Sequence, residues 1–262
     1  MTKLFQVDAF TDRVFSGNPA AVCLLEDEKA DTWMQALATE MNLSETAFLT
    51  KQEDGYGLRW FTPATEVKLC GHATLASAWV LFTEKIVSTD QVIHFHTLSG
   101  LLAARWENGS VALDFPAFRG AKSIEKPALM KALGVKQGAL WQAGPHQFVE
   151  LESAETLRRL APDFDRMVAL GNGDLAVTCR SDDPAYDFIS RFFAPALGVN
   201  EDPVTGSAHC SLGPFWMERL GKDRLRAFQA STRGGSLLVN VLGDRVELHG
   251  KAVTVFQAEL KD

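Results

Sequence analysis

Residues 59–73 read RWFTPATEVKLCGHA, and residues 191–208 read RFFAPALGVNEDPVTGSA. The two stretches carry one message twice. Each opens on an arginine and an aromatic pair, Arg59-Trp60-Phe61 and Arg191-Phe192-Phe193, and each runs through Pro-Ala to an acid, Glu66 or Glu201. In both, the acid lies five residues before a glycine, Gly71 or Gly206; only the gap from the aromatic pair to the acid differs, by three residues. A helix-like run follows each glycine, Ala73 to Phe82 and Ala208 to Leu220. Chance similarity between two aromatic strands would not be expected to share Arg, Phe, Pro, Ala, Glu and Gly in one order. Strand, polar loop and helix in two copies predict two similar lobes with equivalent loops facing each other, and a small molecule held in the cleft between them.

The flanking sequence fits an α+β fold, each lobe a mostly antiparallel, barrel-like sheet around a central helix. Leu4–Ala9 and Ala20–Leu25 have strand patterns and are joined by the turn-rich Ser16-Gly17-Asn18-Pro19. Asp31 opens a helix in which Trp33, Met34, Leu37, Ala38 and Met41 recur at helical spacing, with Asp31 itself as a candidate N-cap. Thr46–Thr50 and Leu58–Phe61 read as strands, and Cys70–Val87 as a helix so apolar that it is expected to be buried on most sides. Short strands follow at Val92–Thr97, Leu101–Trp106 and Val111–Phe115, with turns at Gly100 and Asn108-Gly109. Residues 116–126 read as a linker. Beyond it come helices near Pro127–Leu133 and Ala154–Ala161, strands at Phe148–Leu151, Leu175–Arg180 and Tyr186–Phe193, and a core helix Ser207–Leu220 ended by Gly221. Four strand-like segments close the chain, at Arg226–Ala230, Ser236–Leu242, Arg245–His249 and Val253–Leu260. The expected division is residues 1–116 and 117–250, with a last strand at about 251–262 returning to the first lobe.

Composition narrows the function classes. The 262 residues are 46% hydrophobic and 23% charged, which supplies an ordinary core without staples. The net charge of −7 and scattered Lys and Arg argue against a nucleic-acid partner. Cys23, Cys70, Cys179 and Cys210 form no CxxC pair and no metal-finger spacing. A reducing cytoplasm is the expected compartment. The start MTKLFQVDAF enters a strand pattern directly and lacks the features of a signal peptide, and no apolar run approaches the ~18 residues of a membrane span.

Several residues could do chemistry. Glu45, in Asn42-Leu43-Ser44-Glu45-Thr46, stands between a helix end and an apolar strand. Desolvation there would raise a carboxyl pKa towards neutrality, as a general acid or base at pH 7 requires; a plain surface turn is the competing reading. Gly71 and Gly206 each open a core helix, where free N–H groups and the helix dipole favour an anion or a developing enolate; tight helix–strand packing is the alternative. His72 sits at such a helix start, which favours its neutral form. Glu201 and Asp202 precede the second helix as caps or, for Asp202, as a substrate or proton-carrying group. Cys70 precedes Gly71, where a thiol can be activated, but Thr205 occupies the matching position before Gly206, and Cys210 falls a turn inside the helix, facing the core. His94 and His96 share a strand face without further ligands, and no metal set is expected. Arg233-Gly234-Gly235 reads as a hairpin turn or an anion contact by Arg233. Phosphate-loop, dinucleotide and nucleophile-elbow patterns are absent.

Taken together, VDAFTDRVFSGNPAAV (7–22), NLSETAFL (42–49), RWFTPATEVKLCGHATLASA (59–78), TLSG (97–100), RFFAPALGVNEDPVTGSAHCSLGPFW (191–216) and QASTRGG (229–235) resemble the phenazine-biosynthesis isomerase (PhzF-like) family, within the diaminopimelate-epimerase-like fold. The resemblance runs nearly end to end in family order. It implies two lobes with the site between them, no cofactor, and frequent homodimers. It carries Glu45 over as the proton-transferring acid/base, His72, Asp202 and Ser207 as site partners, and Asn18, Gly71 and Gly206 as positions near the substrate. Cys70 matches the first catalytic cysteine position of the epimerases, while Thr205 departs from the second. The resulting expectation is a cofactor-independent isomerase that moves a carbon-bound proton in a small anionic substrate. A thiol-dependent epimerase using Cys70 and a non-catalytic binding protein are the alternatives. No membrane partner is expected.

Overall fold

The computed structural model describes residues 2–124, 126–171 and 174–261. The chain forms two compact units, one made of Met1–Phe115 with Glu247–Asp262 and the other of Pro116–Val246.

The first unit begins with the hairpin β1 (Lys3–Ala9) and β2 (Asn18–Leu25), followed by α1 (Asp31–Met41). The helix carries the chain over to β3 (Glu45–Gln52), which lies parallel to β2, and β3 turns back into β4 (Gly55–Phe61). A short β5 (Glu66–Val67) doubles back on β4 and delivers the chain to α2 (Gly71–Thr83). α2 is in turn a crossover, because β6 (Ile93–Thr97) pairs parallel with β4 before the meander continues through β7 (Gly100–Glu107) and β8 (Ser110–Pro116). His72 to Ala78 of α2 are buried without a break. That is what a helix apolar on all sides requires, and α2 packs on β1, β2, β3 and β7. Gly250 makes the close fit possible: a Cβ there would lie 2.6 Å from both Leu75 Cδ1 and Phe10 Cδ1.

The second unit repeats this plan. β9 (Gly120–Lys122) pairs with β10 (Ala139–Ala143), and β10 with β11 (His146–Glu150); α3 (Pro127–Leu133) lies in the β9–β10 connection. The crossover from β11 to the parallel β12 (Leu175–Arg180) passes through α4 (Ala154–Arg158) and α5 (Phe164–Ala169). β12 pairs with β13 (Phe188–Ala194), a 3₁₀ turn (Pro195–Leu197) and β14 (Val199–Asp202) follow, and α6 (Gly206–Leu220) crosses to β15 (Arg224–Gln229), parallel to β13. β16 (Gly235–Leu242) pairs with β15, and β17 (Arg245–Gly250) straddles the division between units. The final strand, β18 (Ala252–Glu259), pairs antiparallel with β1. The architecture is thus α+β and sheet-dominated, and in each of the parallel pairs β2–β3, β4–β6, β11–β12 and β13–β15 helices make the crossover.

Several sequence expectations need correcting. Asp31 is the first helical residue and not the cap, which is Ala30; the Asp31 carboxylate instead accepts from Arg59 Nη1 at 2.7 Å. Cys70–Val87 is too long for α2, which stops at Thr83 because Lys85 takes a left-handed φ of +57° and the N–H groups of Ile86 and Val87 both turn back to the Leu81 carbonyl. No glycine announced that stop. Residues 116–126 are not a plain linker: β9 lies within them, held against β10 where Gly120 comes so near that a Cβ would sit 3.0 Å from the Ala143 Cβ; Glu125 of that stretch lies outside the described residues. β10 and α5 were unforeseen, although Asp163 caps α5 by accepting from the Arg166 N–H at 3.0 Å.

Candidate active site

Parallel pairing of β2 and β3 brings their N-terminal ends together, with Ala20 opposite Glu45. Asn18 opens β2 and Glu45 opens β3, so two polar side chains from distant sequence arrive where α2 begins. There Cys70 is the N-cap of α2, with extended backbone (φ −146°, ψ 110°), and Gly71 and His72 form its first turn. The first N–H groups of the helix have no intrahelical acceptor by construction.

His72 lies at the centre of this group. Its Nδ1 is 3.1 Å from the Asn18 Nδ2 and 3.5 Å from the Cys70 Sγ; its Nε2 is 3.2 Å from the Glu45 Oε2. In the tautomer that suits the Asn18 amide and the Cys70 thiol as donors, Nδ1 offers its one lone pair to them and Nε2 carries the hydrogen facing the carboxylate. The Nε2–Oε2 contact is close but not aligned as a hydrogen bond, a looseness typical of unliganded sites. Burial, only partly offset by the Pro19 backbone, pushes the His72 pKa down to about 3. The neutral form expected from the helix dipole is therefore present, with desolvation as its main cause. Asn18 is fully buried with its amide nitrogen turned to the imidazole, which makes it a support for His72. The Glu45 side chain keeps 18% of its surface exposed, more than the 6% of His72, so it is the member of the pair open to a ligand.

Ligand atoms of Glu45, Cys70 and His72 lie within 4.8 Å of one another. Among the described residues this trio is the one arrangement of that kind, and sequence spacing did not announce it. The thiol contacts Nδ1 while the carboxylate contacts Nε2. Opposite ring nitrogens suit the passage of a proton through the ring.

The second unit builds a different helix start. Thr205 is the N-cap of α6 and Gly206 and Ser207 its first residues. Neither Glu201 nor Asp202 caps α6. Glu201 accepts from Arg191 Nε and Nη2 at 2.7 and 2.9 Å, and Asp202 Oδ2 accepts from the Thr205 hydroxyl at 2.5 Å. Sequence reading missed Gln229, which fastens this turn. Its Oε1 accepts from the Thr205 N–H at 2.9 Å, and its Nε2 donates to the Asp202 carbonyl at 2.7 Å and to Thr205 Oγ1 at 3.2 Å. Its signal in the sequence is that it opens QASTRGG (229–235), one of the stretches that carry the family resemblance. His209 adds a bond one turn on, Nδ1 to the Thr205 carbonyl at 2.8 Å, and burial pushes its pKa down to about 4. Cys210 is buried in α6, as its place one turn in suggested. Arg233 lies half-buried in the β15–β16 loop, whose Ser231 hydroxyl donates to the Pro203 carbonyl at 2.8 Å. His94 is exposed, and His96 pairs with Asp54 at 2.9 Å.

Comparison with known proteins connects these two helix starts to a family. The profile described as phenazine biosynthesis-like protein (PhzC-PhzF) matches residues 7–258. This chain belongs to that family. It is 49% identical over 260 residues to an uncharacterized isomerase of Halalkalibacterium halodurans, covering 99% of this chain and 98% of the relative. It is 41% identical to the human phenazine biosynthesis-like domain-containing protein, with 98% of each chain covered. The crystal structure of a PhzF-family protein from Enterococcus faecalis superposes with a TM-score of 0.95 at 41% identity, over 99% of both chains. A hydroxyproline epimerase from Agrobacterium vitis, at 13% identity and a TM-score of 0.63, shares the fold. With relatives of this similarity named isomerases, the PhzC-PhzF chain described here is an isomerase in class. Among the described residues, no helix is long and apolar enough to cross a membrane.

Proposed function

We propose that this chain is a cofactor-independent isomerase that moves a carbon-bound proton within a small carboxylate substrate, with Glu45 as the acid/base. The observation that carries this reading is the Glu45–His72 contact at 3.2 Å, with the imidazole fixed from its far side by Asn18. A neutral imidazole presenting Nε2–H to the carboxylate favours its ionised form, the form that takes a proton. After abstraction, Glu45 holds the proton and returns it to another carbon. His72 shares the charge by hydrogen bonding. In this proposal the helix-start N–H groups at Gly71 and Gly206 stabilise negative charge on the substrate. Asp202 and Ser207 contact the substrate, and Arg233 is a further anion contact. A cytoplasmic homodimer acting on a small anion is part of the same proposal.

A thiol-dependent epimerisation is the second reading, favoured by the Cys70 Sγ at 3.5 Å from His72 Nδ1. It needs a second acid/base on the opposite substrate face, and Thr205 stands where a partner thiol would be.

Deuterium incorporation separates the two. Wild type, Glu45→Gln and Cys70→Ala are incubated in D2O with amino acids, hydroxy acids and dihydro-hydroxyanthranilate-type compounds, and carbon-bound deuterium is read by NMR. The proposal expects uptake by wild type and its loss in Glu45→Gln with the melting temperature nearly unchanged. Uptake that persists in Glu45→Gln and vanishes in Cys70→Ala assigns the base to the thiol.

A further inference from the structure

The start of α2 holds a thiol, an imidazole and a carboxylate in series. Cys70 Sγ contacts His72 Nδ1 at 3.5 Å, and the opposite nitrogen, Nε2, faces Glu45 Oε2 at 3.2 Å. Nucleophile, base and orienting acid stand in this order in cysteine acyl-transfer enzymes on unrelated folds, where the constellation is recognised by geometry and roles. Two further features belong to such a site. The Cys70 residue caps α2, so its sulfur is attached at the positive end of a 13-residue helix, which favours a thiolate as it forms. The N–H groups of the first turn stand beside the same residue and can receive an oxyanion.

We propose that Cys70 is an acylatable nucleophile, and that this chain accepts acyl groups of about acetyl size from activated esters or thioesters, a chemistry separate from the proton shift. The buried imidazole carries no second proton at rest, so the thiol rests as S–H. As Sγ bonds to the acyl carbonyl carbon, the thiol proton passes to the single lone pair of Nδ1, which gives up its hydrogen bond from the Asn18 amide, and Glu45 balances the resulting imidazolium through Nε2. The tetrahedral adduct collapses by breaking the bond to the alcohol or thiol leaving group, which takes the proton back from Nδ1. Cys70 is left as a thioester. Water then adds to it with Nδ1 as base, releasing the carboxylic acid and restoring the thiol. The sum is ester plus water to acid plus alcohol, with no oxidant or reductant. Cys70 is only 7% exposed, which limits the acyl group to a small one. The other thiols make internal controls: Cys23, Cys179 and Cys210 are all buried, and burial pushes the Cys179 pKa up to about 12.

The test uses 4-nitrophenyl acetate and the intact protein. Release of 4-nitrophenolate is followed while acetylation sites are mapped on tryptic peptides by mass spectrometry. The expected result is a burst of one equivalent per chain, with acetyl on Cys70 at least tenfold ahead of Cys23, Cys179 and Cys210, abolished in Cys70→Ala and slowed at least tenfold in Glu45→Gln. Acetyl spread over lysines at comparable rates overturns the proposal, as does Cys70 labelling that Glu45→Gln and His72→Gln leave unchanged, since the thiol would then react by exposure alone. Site mapping on wild type reads the proposal even where a variant fails to fold. The assay uses no isomerase substrate, so its failure and that of the proton-shift reading, scored by deuterium uptake, are distinguishable.

Discussion

The two units share a skeleton and differ at the helix starts. In each, an arginine on the fourth strand of the plan grips the acid that precedes the helix: Arg59 with Glu66 at 2.7 and 2.8 Å, and Arg191 with Glu201 at 2.7 and 2.9 Å. In each, the same guanidinium lies over a phenylalanine two residues on, Phe61 at 5.1 Å and Phe193 at 5.0 Å. A bidentate fork fixes both distance and plane, so it sets the turn into the helix twice in the same way. What stands on the two turns has diverged. The first carries Cys70, His72 and Glu45, which can all change protonation state. The second carries the hydroxyl residues Thr205 and Ser207, and an Asp202 whose carboxylate is held by Thr205. Strand register puts Asp174, before Leu175, where Glu45 precedes Thr46, since Leu175 pairs with Phe193 as Thr46 pairs with Phe61. Asp174 meets His146 Nδ1 at 3.6 Å. In the proposed reading, retained geometry with exchanged side chains leaves proton chemistry to one turn and binding to the other.

The largest expected effect tests that assignment directly. Glu45→Gln should lower turnover by about a thousandfold, the middle of the range for a general acid or base, whereas Asp174→Asn should change it by less than about threefold; steady-state rates on the substrate found by deuterium exchange decide this, and equal losses would erase the asymmetry. The forks come next. Arg191 is 9% exposed and also donates to the carbonyls of Leu157 and Leu160 at 3.2 and 2.8 Å, while Arg59 reaches only half-buried Glu66 and exposed Asp31. Arg191→Leu should therefore cost about 3 kcal/mol in urea unfolding, through the stranded Glu201 and carbonyls, and Arg59→Leu about 1 kcal/mol. Gln229→Leu should follow, reducing turnover by roughly tenfold, about 1.4 kcal/mol, by loosening Asp202 and Thr205; unaltered kinetics would confine Gln229 to a structural part.

The smallest effect is a pH slope. His209 is depressed to about 4 by burial, against 6.5 when unfolded. The unfolded chain therefore binds a proton that the folded chain refuses between those values. Its contribution is fully present above pH 6.5 and is lost as pH falls towards 4, at up to about 1.4 kcal/mol per pH unit. His72, depressed to about 3, acts in the same direction over a wider window. His209→Gln should remove one proton from the acid slope of stability between pH 6 and 4, read from urea midpoints at successive pH values; an unchanged slope would falsify the assignment to His209.

Much of the fold was legible because duplication writes each signal twice. Gly71 and Gly206 do open their helices, and the apolar runs after them are the buried α2 and α6. The misses have local causes. β9 is three exposed residues and β10 only five, and they are strands through each other and β11 rather than through any pattern of their own. The end of α2 turns on a lysine at positive φ, which no sequence rule favours. At the site, residue types were readable and partners were not. Asn18, Glu45 and His72 meet because β2 and β3 run parallel into the start of α2, a consequence of register that spacing along the chain does not encode. Gln229 escaped for the same reason.

The pairing of β18 with β1 has a consequence for biosynthesis. The second unit is continuous in sequence and its residues have all emerged from a ribosome before β18 does, whereas the first unit, begun earlier, lacks its closing strand until β18 follows. The nascent chain thus completes its middle before its beginning, and β1 lacks the β18 pairing until that strand is made. Removal of Ala252–Glu259 would leave that edge of β1 open to other strands.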